Sequence, residues 1–301
     1  MIIRERPSAL RLFLLLRGSV LPRILPSLAL NMFVAALVTM SHGDLFQLKI
    51  TLTPIPFSLI GLALAIFLGF RNNAAYDRYW EARKQWGELV HRSRTLARQC
   101  QSLIVPSEAI VDQEGLRDVR VRMVHRAIAF VYALKNQLRD ANPVRGVAEL
   151  RAHLLRPELR RVVRASNQPN FLLQEMGRDL QLCLQAQRIE PCVAVVIDDT
   201  LSAMGAAAAA CERIKGTPIP FSYTLLLHRT AYLYCFLLPF GLVDSIGFMT
   251  PFVVGIVAYT FFGLDALGDE IEEPFGDEAN DLPLDALCRT IEINMCESLG
   301  E

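Results

Sequence analysis

The side chains that could carry chemistry are few, and their spacing supports little of it. Seven cysteines are present, and no two form a Cys-x-x-Cys pair. An odd count without a pairing motif suits free thiols in a reducing compartment. The five histidines lie scattered, without metal-ligand spacing. There is no glycine-rich phosphate loop, no Gly-x-Ser-x-Gly elbow and no His-Glu-x-x-His. The expectation is a protein that is not an enzyme. Lys+Arg and Asp+Glu both number 31, so charge points to no nucleic-acid partner. One polar pair stands out: His228 and Arg229 interrupt an otherwise apolar run. An ionisable residue in such a run faces protein or water and finds a partner. The partner expected for Arg229 is Asp265 or Asp269; the alternative is that Arg229 snorkels to lipid phosphates.

The elements that hold these residues are long and apolar. Hydrophobic residues make up 52% of the 301, and the mean hydropathy is +0.30. Four stretches, 24–40, 54–70, 222–243 and 248–267, approach the ~20 residues that a helix needs to cross a bilayer. The hexapeptide Thr-Pro-Ile-Pro-Phe-Ser stands at 53–58 and again at 217–222, each time at the entrance of a span. Proline tolerates the first helical turn, and an aromatic suits the membrane–water boundary. The similarity stops after six residues, so it is a local device and not a duplicated domain. Arginines cluster before the first span and after the second, while the 1–2 and 3–4 connections hold almost none. The positive-inside rule then places both termini and the middle segment in the cytoplasm. No signal peptide is evident. The chain divides into 1–70 (an N-terminal helix and spans one and two), a cytoplasmic helical region 71–216, spans three and four in 217–267, and a cytoplasmic segment 268–301. From Pro56 to Pro106 nothing breaks a helix, so span two is expected to continue as one rod of ~50 residues, near 75 Å long. Helices are also expected at 119–138, 147–154, 157–165, 172–186 and 191–215, and no strand alternation is visible.

Span two carries no charge. Leu62, Ile66 and Phe70 recur every four residues and make one bulky stripe. Gly61, Ala65 and Gly69 make a stripe of small residues beside it, of the kind that lets membrane helices approach closely. Such a helix suits a symmetric ring, with the small face against a neighbour and the bulky face toward the axis. A ring of Leu, Ile and Phe narrows a pore until water leaves it. The plain alternative is that every face meets lipid or ordinary protein.

The stretches FLGFRNNAAYDRYW and EEPFGDEANDLPLD, with the N-terminal RGSV, resemble the bestrophin channels, most closely their bacterial homologues. The resemblance runs from the N-terminus to about Asn294. It implies an all-α membrane protein with four transmembrane helices per subunit and a large helical cytoplasmic region. It further implies a homopentamer around a central pore in the inner membrane. It puts the family's hydrophobic neck on Leu62, Ile66 and Phe70. It puts a second, cytoplasmic constriction at Cys192, where the family usually has Ile. It also implies a calcium clasp after the Pro-Phe-Gly, with Glu278 and Asp281 on the ligand positions. The acidic run is thinned here by Ala279 and Asn280, and calcium wants six to eight oxygens. The plain alternative is a helix-terminating turn. Chloride is the permeant ion the resemblance implies, with cations as the alternative. The function expected is therefore a homo-oligomeric ion channel whose partners are its own copies, lipid and permeant ions. The runner-up is a non-conducting membrane scaffold that binds a cytoplasmic partner.

Overall fold

The computed structural model describes residues 16, 18–41, 44–45, 48–49, 53–108 and 115–301. Ten α-helices are described: α1 (Leu21–Met40), α2 (Pro54–Leu103), α3 (Val119–Leu138), α4 (Pro143–Arg151), α5 (Arg156–Arg164), α6 (Gln168–Gln185), α7 (Pro191–Gly216), α8 (Phe221–Ile246), α9 (Thr250–Glu272) and α10 (Leu284–Leu299). Among the described residues a short antiparallel pair between α1 and α2 departs from the all-helical pattern. In it β1 (Asp44–Leu45) meets β2 (Leu48–Lys49), Asp44 opposite Lys49. Two residues per strand are too few to show as alternation in the sequence.

The chain forms two compact units, 1–79 with 218–274 and 278–281, and 80–217 with 275–277 and 282–301. The long helix α2 contributes its first half to one unit and its second half to the other. It runs unbroken for 50 residues, as the uninterrupted stretch between Pro56 and Pro106 predicts.

In the first unit α1, α2, α8 and α9 pack around one apolar core. Ile24, Leu64, Leu68, Leu227, Ala231 and Phe262 meet at its centre. Ala35, Phe57, Leu238 and Val254 continue it toward the other end of the same helices. Prolines stand at the start of all four helices, and α1 has one in its first two positions. Pro54 opens α2, Pro220 precedes the first residue of α8 as its N-cap, and α9 has a proline in its first two positions. The two hexapeptide copies thus share a place but not a register. In the first the prolines lie within the opening turn, in the second they lie ahead of it. The turn between α8 and α9 passes through Gly247 at φ +51°, a left-handed backbone that favours glycine.

Helix α7 is also long and apolar enough to cross a membrane. Its second half is rich in alanine, however, and Asp198 and Asp199 lie exposed on it. Exposed carboxylates in the middle of a span are costly. Helix α7 packs in the second unit with α6 and α3. The membrane spans are therefore α1, the first part of α2, α8 and α9.

The second unit is organised around α3, most of whose residues are buried. Asp118 caps it, accepting from the backbone N–H of Arg120 at 2.9 Å. Arg126 is buried at its centre. It donates to Glu158 Oε1 at 2.6 Å, to Asp179 Oδ2 at 2.5 Å and to the carbonyl of Glu175 at 2.9 Å. Three helices, α3, α5 and α6, are thereby tied at one guanidinium. Helix α10 is tied to α3 by Tyr132 donating to Glu292 at 2.7 Å and by Lys135 donating to Asp285 at 3.0 Å.

Burial alone raises the Asp285 carboxyl, but hydrogen bonds from Arg139 and Lys135 outweigh it and hold the group at about 2, against an ordinary 3.8. A carboxyl lowered on folding stabilises the folded state above its ordinary value, and that contribution fades as pH falls through the folded one. Asp285→Asn should therefore destabilise the protein by a constant amount above about pH 4. The gap to wild type should close between 3.8 and about 2 when acid unfolding is followed by circular dichroism. A gap that persists unchanged at pH 2 would show that the charge is not what matters.

Candidate pore stripe and the ion network behind it

Helix α2 in the first unit has two unlike sides. Leu64, Leu68, Arg71 and Ala75 are buried against the unit. Leu62, Ile66 and Phe70 point away, 63%, 48% and 60% exposed on the single chain. The apolar stripe is thus free of the chain's own core. Phe70 lies edge-on to Phe67, with ring centroids 6.4 Å apart. An exposed row of Leu, Ile and Phe needs cover, as do Leu59, Ile60 and Phe67 on the same helix, and lipid or further copies of the chain supply it.

The small stripe divides. A Cβ on Gly61 would stand 2.6 Å from Tyr234 Oη, so this glycine admits the chain's own α8. Ala65 is exposed, and a Cβ on Gly69 would meet nothing within 4 Å. Only Ala65 and Gly69 therefore remain open on the chain. Gly61 is already used inside it.

Asp265 is engaged, but not by Arg229. Arg71 donates to Asp265 Oδ1 at 2.7 Å, and His228 Nδ1 lies 2.6 Å from Asp265 Oδ2. Arg71 also pairs with Asp269, and its NH2 lies 3.8 Å from Glu272. Arg229 is exposed. The expected Arg229–Asp265 pair is thus replaced by Arg71 and His228. The reason is helical phase: adjacent residues diverge by about 100°, so His228 and Arg229 cannot face the same carboxylate. The signal for Arg71 was available. It is the first charge after an uncharged span, and Asp265, Asp269 and Glu272 repeat at steps of four and three on one face of α9.

The two acidic positions beyond α9 have different partners. Glu278 leans toward Arg23, 3.9 Å away. Asp281 is buried, and its Oδ2 accepts from the backbone N–H of Glu278 at 2.7 Å. Burial raises the Asp281 carboxyl, only partly offset by that hydrogen bond. Asn280 donates to Glu270 at 2.8 Å. Among the described residues no group of three or more His, Cys, Asp or Glu could hold a metal ion. One side chain bonds the loop's own backbone and the other faces an arginine. The arrangement fits the turn reading: Asp281 closes the loop that leads into α10.

Cys192 lies exposed in the first turn of α7, its Sγ 3.7 Å from the Glu190 carboxylate. Cys211 and Cys288 are buried, which pushes both thiols up to about 12 and removes them from thiolate chemistry.

Four membrane helices, with an uncharged stripe turned outward from the longest and a buried ion network behind it, define a membrane protein of the channel class. The chain belongs to the bacterial and fungal bestrophin family, whose model matches residues 1–297. A Mesorhizobium japonicum protein named as voltage-dependent anion channel-forming is 45% identical to it, over 100% of this chain and 93% of its own length. A like-named Escherichia coli K12 protein is 42% identical, over 100% of this chain and 95% of its own. The crystal structure of a bacterial bestrophin homologue from Klebsiella pneumoniae superposes with a TM-score of 0.84 at 39% identity, covering 93% of this chain and 100% of that one. The protein is a channel protein and not an enzyme.

Proposed function

We propose that this bestrophin is a homopentameric channel for monovalent anions in the inner membrane, with both termini cytoplasmic. Its pore is narrowed by Leu62, Ile66 and Phe70. The observation that carries the reading is the exposed, uncharged stripe on a helix whose opposite side is buried. Copies arranged about an axis cover that stripe and leave a collar that ions pass only by shedding water. Five copies follow the family, and anion preference follows the names of the relatives. Ala65 and Gly69 serve close packing between copies. Cys192 stands at the second constriction and makes it smaller-lined than an isoleucine would. Lipid covers what remains of the apolar exterior.

Purified protein in planar bilayers under asymmetric KCl should give a reversal potential near the chloride equilibrium value. A potential near that of potassium would overturn anion selectivity while leaving the channel. An oligomer that passes no ion under any gradient would favour the scaffold, and a monomer or dimer in detergent would defeat the central pore.

Cation conduction is the second reading, and one observation favours it. Glu190, Asp198 and Asp199 are exposed at and beyond Cys192, and the first basic residue of α7 is Arg213. If that face lines the cytoplasmic vestibule, its carboxylates draw cations.

A further inference from the structure

Arg71 follows Phe70 directly, yet its side chain has 0% exposure. It reaches Asp265, Asp269 and Glu272, three carboxylates on one face of α9. Asn72 beside it donates to the carbonyl of Leu264 at 3.1 Å. Gly268 lies between these contacts. A Cβ there would stand 2.5 Å from Asn72 Oδ1 and 3.4 Å from Arg71 Cζ, so a larger residue would push on the Asn72 amide and the Arg71 guanidinium. Two turns further along α2, Arg78 Nε donates to the carbonyl of Glu272 at 3.2 Å. Through Asp265 the seam continues to His228 of α8. All of it lies within the first unit.

Consecutive residues of a helix point about 100° apart. Holding Arg71 inward therefore holds Phe70 outward. Rotation of α2 at this level would pull the guanidinium from its carboxylates and leave a buried charge unpaired. No comparable charge anchors the stripe at Leu62, where the contacts are Gly61 against Tyr234.

We infer that Arg71, seated by Gly268, is the positioning residue of the pore stripe: it fixes the rotation and height of Phe70 and so sets conductance without meeting the ion. The inference rests on the proposed pore, and the experiment separates the two. Wild type, Arg71→Lys, Gly268→Ala, Phe70→Ala and the two doubles with Phe70→Ala are reconstituted in planar bilayers. Unitary conductance is recorded, and subunit number is measured in detergent. Lysine keeps the charge but loses the planar fork that reaches several carboxylates at once. Each of Arg71→Lys and Gly268→Ala should change unitary conductance by about threefold, the size of a coupling between touching residues, with subunit number unchanged. Neither should change it further once Phe70 is alanine.

Unchanged conductance in both single variants overturns the inference. So does an equal change in the Phe70→Ala background, since Arg71 would then act elsewhere. If Arg71→Lys does not assemble, Gly268→Ala carries the same comparison; if neither assembles, the role is structural and the inference falls. A silent wild type would instead sink the channel reading itself.

Discussion

Phe70→Ala is expected to raise ion flux through reconstituted protein about tenfold, and Ile66→Ala to raise it less. Tenfold corresponds to a barrier lowered by about 1.4 kcal/mol. Phe70 is 60% exposed on the chain and borders the charged seam, so its ring closes the proposed collar where water is nearest. Every subunit gives up a phenyl ring at once, and the opening left behind holds water. An ion then keeps more of its hydration shell. Ile66 is less exposed, at 48%, and its side chain is smaller, so its removal opens less. The same proteoliposomes should show little change in subunit number, because neither side chain is part of the unit's buried core. A flux that both substitutions leave unaltered would mean that the stripe faces lipid.

The second large effect is on stability. Arg126→Met is expected to cost about 3–5 kcal/mol, the usual penalty for removing one partner of a buried ion group. Arg126 is 5% exposed, Glu158 4% and Asp179 4%, so water cannot replace the lost guanidinium. Arg122 still holds Asp179 through two bonds of 2.9 and 3.0 Å, and Arg161 still holds Glu175 at 3.1 Å. Among the described residues no second arginine hydrogen-bonds to Glu158, and it bears most of the cost. Thermal melting in detergent should fall by on the order of 10 °C. Adding Glu158→Gln to Arg126→Met should recover part of the loss, because a neutral amide is cheaper to bury than an unpaired carboxylate. No recovery in the double variant would place the cost in packing and not in charge.

Much of this architecture is legible in residue order. The membrane spans, the 50-residue rod of α2 and the helices of the middle segment follow from local rules. Apolar length marks a span, an unbroken run without proline marks a rod, and three- and four-residue steps mark an amphipathic helix. The bounds of α3 match the expectation, and those of α4 and α6 start four residues earlier than it. Both begin with a proline in the first two positions or directly at the start, and the apolar pattern sets in only after that opening turn.

The stripe of Leu62, Ile66 and Phe70 was also visible in spacing, because four-residue steps on a helix define a face whatever lies around it. What lies behind that face was not. Which basic residue meets Asp265 depends on the angle at which α2, α8 and α9 come together. The choice between His228 and Arg229 is a difference of about 100° of helix rotation, and Arg71 reaches Asp265 because α2 packs beside α9. The use of Gly61 by Tyr234, and not by a neighbouring subunit, was hidden for the same reason. So was the turning of Asp281 onto its own loop. Sequence alone determined most of the helices, the length of the longest and which of their faces are greasy. The tertiary structure alone decided which charges are paired and which small residues are already covered, because the deciding contacts, such as Arg71 with Asp265 and Gly61 with Tyr234, join helices far apart in the chain.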